Sequence, residues 1–108
     1  MKNTDKGLID EGLIKLVNER VSTFLRDERV LKGRSVRTVA RKLKIKRKHI
    51  KSWESGRRSP PAYLLFALAR FYGKEAFFRL HQLDFDLQME KYERTKLTLA
   101  AASVSKAA

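Results

Sequence analysis

The segment from Lys32 to Arg58 constrains this chain more than any other stretch. It carries twelve Lys or Arg and one acid, Glu54, so its net charge of +11 makes up most of the +13 of the 108-residue chain. A sparse apolar pattern runs through the same segment, at Val36, Val39, Ala40, Leu43, Ile45, Ile50 and Trp53. A disordered basic tail lacks such a pattern, so we expect this segment to fold while it presents its charge to a polyanion.

Composition argues against several other classes of protein. The chain has no Cys, and His49 and His81 lack companions at ligand spacing, so we expect no disulfide, metal site or cofactor. Ser52 and Ser55 have no placed general base, so we expect no catalytic residues and no enzyme. Apolar runs fall well short of the roughly 20 residues of a membrane span, and the N-terminus lacks a signal-peptide core. We therefore expect a soluble, cytoplasmic, nucleoid-associated protein with no membrane partner.

Helical spacing dominates the rest of the chain and predicts five or six helices. We predict a flexible N-terminus at 1–7, a folded domain at 8–83 that contains the basic segment, and a C-terminal helical extension or tail at 84–108. Apolar spacing and turn residues predict a helix start at Ser59 or Pro60 and a helix junction at Asp84 and Asp86. The predicted helices cover 8–31, 36–43, 47–55, 62–72 and the region from 74 onward.

Residues 36–55 predict two short helices joined by a three-residue turn, the unit that fits a DNA major groove. Ala40 is small enough for the close contact between the helices, and Ile45 supplies an apolar plug in the turn. Ile50 and Trp53, three residues apart, predict the buried face of the second helix. The side chains left exposed on that helix are those of Arg47, Lys48, Lys51 and Ser52.

At these positions the chain resembles the Xre/Cro/cI-type helix-turn-helix family of phage and bacterial repressors. The resemblance covers Leu25 to Tyr72 and rests on Arg29-x3-Gly33-x-Ser35, Val39-Ala40, Leu43-x-Ile45, Ile50, Trp53-Glu54-x-Gly56, Pro60 and Leu64-x3-Leu68-Ala69. It implies an all-α fold, a compact five-helix repressor-like bundle with a helix-turn-helix, here with N- and C-terminal helical extensions.

The resemblance also implies roles for individual residues. Base contacts are expected from Arg47, Lys48, Lys51 and Ser52, because the start of the second helix of the unit faces the base edges. Phosphate contacts are expected from Arg37, Arg41, Lys46, Arg57 and Arg58. Arg29 and Glu54 are expected to form a structural ion pair, and Ala40, Ile45, Ile50 and Trp53 are expected to be structural.

Two positions depart from the family pattern. Lys44 occupies the turn position where Gly is usual, and a left-handed conformation there costs about 1 kcal/mol or more. Lys46 replaces the usual Ser or Thr cap and forgoes roughly 1 kcal/mol. Lys46, Arg47 and Lys48 also place positive charge at the positive end of a helix dipole, where an anion would relieve it.

Two apolar stripes follow Gly73, and one helix cannot bury both against the bundle. One contains Ala76, Leu80, Leu83 and Leu87, and the other contains Phe78, Phe85, Met89 and Tyr92. Either they extend the core under the first helix or they meet a second subunit, and we favour a homodimer.

The resulting hypothesis is a sequence-specific regulator of transcription that binds double-stranded DNA as a homodimer, with repression implied by the resemblance alone. One alternative is an antitoxin or accessory protein that grips a protein partner through its C-terminal helices and autoregulates through DNA. Another is a non-specific nucleoid or RNA-binding protein. Trp53, the only aromatic residue in the basic segment, is assigned to the core, which argues against single-strand recognition.

Overall fold

The computed structural model describes residues 10–107, with the side chains of 10–97, 99 and 100. Within this range the chain folds into five α-helices and no strands, which confirms the predicted all-α fold. The predicted flexible segment 1–7 lies outside the described residues. In chain order the helices are α1 (Glu11–Leu31), α2 (Val36–Leu43), α3 (Arg47–Glu54), α4 (Ala62–Tyr72) and α5 (Lys74–Ala107).

Helix α1 begins and ends at local signals. Asp10 is its N-cap, and one carboxylate oxygen accepts a hydrogen bond from the Leu13 N–H at 2.9 Å. This backbone contact is the main reason that the pKa of Asp10 lies below its usual value. Gly33 ends the helix in the left-handed region at φ 65°, and the Arg34 N–H donates to the Arg29 carbonyl oxygen at 3.1 Å. The helix was predicted to start near Leu8, and its cap lies two residues later.

The connection between α2 and α3 has the predicted tight turn. Ser35 caps α2 by accepting from the Thr38 N–H at 3.1 Å. Lys44 adopts the left-handed conformation expected of it, with φ 57° and ψ 42°. The Ile45 N–H donates to the Ala40 carbonyl oxygen at 3.0 Å and turns the chain toward α3. Ile45 is partly buried against the core, as a plug in the turn requires.

Two predictions about the C-terminal half are wrong. The N-cap of α4 is Pro61 rather than Ser59 or Pro60, and the Ser59 hydroxyl instead hydrogen-bonds the side chain of Asn18. The helix junction at Asp84 and Asp86 is absent, because α5 continues unbroken from Lys74 to Ala107. The proposed boundary between residues 83 and 84 therefore falls inside one helix.

The core lies between α1, α2, α3, α4 and the first turns of α5. Helix α3 packs on α1 and α2, while α5 packs on α4 and α1. The core residues are Val21, Phe24, Leu25, Val39, Ala40, Ile50, Trp53, Leu68, Ala69, Tyr72, Ala76 and Leu80. Burial of these side chains supplies most of the free energy that holds the two short helices, which are too short to be stable alone.

Helix α5 runs beside α1 over much of its length. Near the start of α5, Arg79 forms a bidentate ion pair with the buried carboxylate of Glu28, and about four turns later Arg94 contacts Asp10 at 3.2 Å. Helix α5 has 34 residues and is about 51 Å long, which accounts for the 59 Å long axis of the molecule. Within residues 10–107 no helix has the length and apolar character needed to cross a membrane.

Candidate nucleic-acid interface

A bidentate ion pair fixes α3 to α1. The Nε and Nη2 groups of Arg29 donate to the two carboxylate oxygens of Glu54 at 2.7 and 2.8 Å. The Nη1 group of the same guanidinium donates to the Arg34 carbonyl oxygen at 2.9 Å, which holds the connection from α1 to α2. The hydrogen bond to Glu54 raises the pKa of Arg29 above its usual value. The only acid of the basic segment is thus engaged in positioning α3.

Burial on one side of α3 decides which of its side chains face outward. Ile50 is 1% exposed and Trp53 is 6% exposed, so both belong to the core as predicted. His49 is exposed on α3 and stacks against the Trp53 ring with a centroid distance of 6.1 Å. Tyr72 is buried behind this helix, and its burial raises the pKa of its hydroxyl well above the usual value.

The outward face of α3 is a row of uncompensated cations. Arg47, Lys48 and Lys51 are exposed, and Ser52 is partly exposed. Within the described part of the chain, none of these three cations forms an ion pair with an acid. The charge therefore depends on solvent ions or on an external anion for its compensation.

The cations assigned to phosphate surround this face. Arg37, Arg41 and Arg47 line a shallow, open depression of about 520 Å³, with Ala40 and Ile45 also in its lining. Cations from both helices of the unit therefore line one open surface. The other cations assigned to phosphate are also exposed, Lys46 at the start of α3 and Arg57 and Arg58 after its end.

The start of α3 offers backbone donors as well as side chains. Lys46 is its N-cap and makes no side-chain cap hydrogen bond. The first backbone hydrogen bonds to the Lys46 carbonyl oxygen come from His49 and Ile50, at 3.0 and 3.3 Å. The N–H groups of Arg47 and Lys48 are therefore left for an outside acceptor, in a position that favours an anion.

A glycine ends α3 and places the basic loop. Gly56 has φ 80°, and the Arg57 and Arg58 N–H groups both donate to the Ser52 carbonyl oxygen, at 3.0 and 3.3 Å. A Cβ at Gly56 would lie 3.5 Å from Ser22 Oγ, which is ordinary contact, so its conformation rather than space requires glycine. The turn directs the two arginines back alongside α3.

Besides the Asp10–Arg94 contact, two long-range contacts were missed from the sequence. The Glu28–Arg79 pair joins α1 to α5, and the Ser59–Asn18 hydrogen bond ties the loop after α3 to α1. A signal existed for the first, because Glu28 lies three residues after Leu25 and therefore on the buried face of α1, where a carboxylate needs a partner. The second joins exposed polar residues and leaves no such signal.

Comparison with known proteins agrees with this geometry. A family model described as helix-turn-helix matches residues 25–78, half of the chain. No curated protein and no solved structure matches the chain. Among the described residues, no group of three or more His, Cys, Asp or Glu is placed to hold a metal ion. On the family match and the α2–turn–α3 unit, the chain belongs to the Xre/Cro/cI-type helix-turn-helix family and is a DNA-binding transcription regulator.

Proposed function

We propose that this protein recognises a specific sequence of double-stranded DNA by placing α3 in the major groove. The observation that carries the proposal is the row of exposed, unpaired cations on α3, on a helix held by Ile50, Trp53 and the Arg29–Glu54 pair. An α-helix with its side chains is about 10–12 Å wide, which matches the roughly 12 Å width of the major groove.

Base recognition is assigned to Arg47, Lys48, Lys51 and Ser52. Three of these side chains are donors only, so they select acceptors on the base edges. Guanine presents two acceptors, O6 and N7, in the major groove, and Arg binds both at once. We therefore expect guanines opposite the start of α3 in each bound site, with Arg47 as the main determinant.

Positioning on the duplex is assigned to the surrounding cations. Arg37 and Arg41 lie on α2, Lys46 is the N-cap of α3, and Arg57 and Arg58 follow the end of α3. Contacts of this kind fix orientation and carry no sequence information themselves. We assign the open depression between Arg37, Arg41 and Arg47 to contact with the DNA backbone.

We further propose that the regulator acts as a homodimer and as a repressor. Two copies would engage half-sites about 34 Å apart, one helical turn along the duplex. Repression is supported by membership of the family, which includes phage and bacterial repressors.

Selection from a random pool of short duplexes tests this proposal. A specific dimer enriches a palindromic motif whose half-sites contain guanine. A specific monomer enriches a single half-site, which would contradict the dimer but not the specificity. A non-specific nucleoid or RNA-binding protein enriches no duplex motif, and that outcome would reject the proposed function.

A further inference from the structure

The outward face of α5 carries an exposed apolar stripe that none of the helices within residues 10–107 covers. Phe78, Phe85, Tyr92 and Leu99 recur every seven residues, and Met89 lies between the second and third of them. Their exposed fractions are 63%, 59%, 58%, 64% and, for Met89, 43%. We call these five residues the α5 stripe.

The α5 stripe lies opposite the face that packs on the bundle. Ala76 and Leu80 are buried in the core, and Leu83 is partly buried against it. At 100° per residue these positions point about 120–180° away from the α5 stripe. The bundle therefore packs on the opposite side of α5 and leaves the α5 stripe accessible to a separate molecule.

We propose that the α5 stripe is the surface through which two copies of this chain associate. This inference deepens the homodimer of the proposed function by naming its interface. Phe78, Phe85, Tyr92 and Leu99 repeat at one heptad position. Met89, four residues after Phe85 and three before Tyr92, adds the second apolar position in the middle of the stripe, which is the spacing of paired helices. Gln82 and Lys96 occupy the equivalent positions on either side.

The area of the stripe is adequate for such a pair. An aromatic side chain buries 150–250 Å², so three rings about 60% exposed leave roughly 100–150 Å² each to be covered. With Met89 and Leu99, the α5 stripe offers on the order of 500 Å² of apolar surface per chain. Joining two copies removes on the order of 1,000 Å², which reaches the lower limit for a specific interface.

Charge permits a second copy at this surface and disfavours one at α2 and α3. Residues 74–100 contain five Lys or Arg and five Asp or Glu, a net charge of zero, although the whole chain carries +13. At α5 two copies therefore meet without facing like-charged surfaces, whereas contact through α2 and α3 would oppose two strongly basic faces. The DNA-binding faces of both copies are left free.

Sedimentation equilibrium of the full-length chain tests the inference, from low micromolar to submillimolar protein. The wild type is expected to dimerise, and Phe85→Asp is expected to raise the dissociation constant about a hundredfold, because each copy would bury a charge in the apolar interface. Leu97→Asp is the matched control. It adds the same charge on the same helix at an exposed residue off the stripe, and its dissociation constant should change less than about threefold.

Salt gives an independent readout. Dimerisation through the neutral, apolar stripe should persist when salt rises from 50 to 200 mM, whereas duplex binding weakens steeply. Circular dichroism checks that the variants keep their helices. If Phe85→Asp does not fold, Tyr92→Asp takes its place in the same comparison.

A single-cysteine variant supplies a second measurement, because the chain has no Cys. Met89 lies near the middle of the α5 stripe, so Met89→Cys should form an intermolecular disulfide on oxidation and Leu97→Cys should not. A monomeric wild type, which would leave the stripe to a different protein, overturns the inference. So does a dimer unaffected by Phe85→Asp, or equal loss with Leu97→Asp.

Failure of this inference is distinguishable from failure of the proposed function. If the wild type binds an enriched duplex but remains monomeric, only the interface is rejected. If it dimerises through the α5 stripe but selects no duplex, the interface stands and sequence-specific recognition is rejected.

Discussion

Replacing Glu54 by Ala should destabilise the protein by about 3 kcal/mol, because it leaves the mostly buried Arg29 guanidinium without its carboxylate partner. The Arg29 side chain is 17% exposed and loses two hydrogen bonds, of 2.7 and 2.8 Å. Removing one partner of a buried pair typically costs 3–5 kcal/mol, and the residual exposure of Arg29 places this case near the lower end, at about 3 kcal/mol. Glu54→Gln keeps one acceptor and should cost about half as much.

Urea unfolding measures this cost through the fluorescence of Trp53, the only Trp of the chain, which is buried beside the pair on α3. Protein concentration is held fixed, since dimerisation would otherwise shift the midpoint. Glu90→Ala is the control. It removes an i,i+4 ion pair with Arg94, both side chains of which are more than one third exposed, and should cost at most about 0.5 kcal/mol. A cost below about 1 kcal/mol for Glu54→Ala would refute the claim that this pair anchors α3.

Three further predictions concern the DNA-binding face. Arg47→Ala should flatten the preference for the selected motif over a scrambled duplex, while Arg70→Ala, which removes an exposed cation from α4, should leave that preference unchanged; competition binding decides. Lys46→Ser should raise the free energy of unfolding by about 1 kcal/mol, because the serine hydroxyl supplies the missing N-cap. It should also weaken binding to all duplexes alike and reduce the slope of log affinity against log salt by about 1. Loss of stability or a change in sequence preference would contradict this. For the wild type, neutralising about six phosphates predicts a slope of log affinity against log salt near −5, or roughly a thousandfold weakening between 50 and 200 mM, and a slope shallower than about −2 would be inconsistent with the assigned contacts.

The α2–turn–α3 unit could be predicted from the sequence because its signals are local. Ser35 supplies the cap of α2, and Gly56 supplies the left-handed turn after α3. The spacing of Ile50 and Trp53 sets the buried face and therefore the exposed row that begins at Arg47. Even the unfavourable conformation of Lys44 follows from its place in the motif, since the turn geometry overrides the preference of the residue.

The course of α5 could not be predicted in the same way. Asp84 and Asp86 are weak helix formers and suggested a junction, but each costs only a fraction of 1 kcal/mol inside a helix. The Gln82 side chain donates a hydrogen bond to the carboxylate of Asp86, one turn further along α5, at 2.9 Å. Leu83, next to Gln82, packs against the core. No Gly or Pro follows Gly73 in the sequence, so packing against the core is enough to keep residues 84–86 helical.

Contacts between residues far apart in the sequence could not be predicted either. Glu28 and Arg79 are 51 residues apart, and several cations of the chain could have served as the partner of Glu28. The choice depends on how α5 lies against α1, which is a property of the packed core. The contacts assigned to DNA also cannot be read from the sequence alone. They depend on how α3 docks in the groove as well as on which side chains it exposes.

The most direct test of major-groove recognition by α3 is a double-mutant cycle between Arg47 and guanine. Binding of the wild type and of Arg47→Ala is measured on the selected duplex and on duplexes in which one guanine at a time is replaced by 7-deazaguanine, which lacks the N7 acceptor. At one guanine in each half-site, the wild type should lose about 1–3 kcal/mol, and Arg47→Ala should lose nothing further. Equal losses for both proteins at every guanine, or no loss at any, would contradict recognition of base edges by this helix.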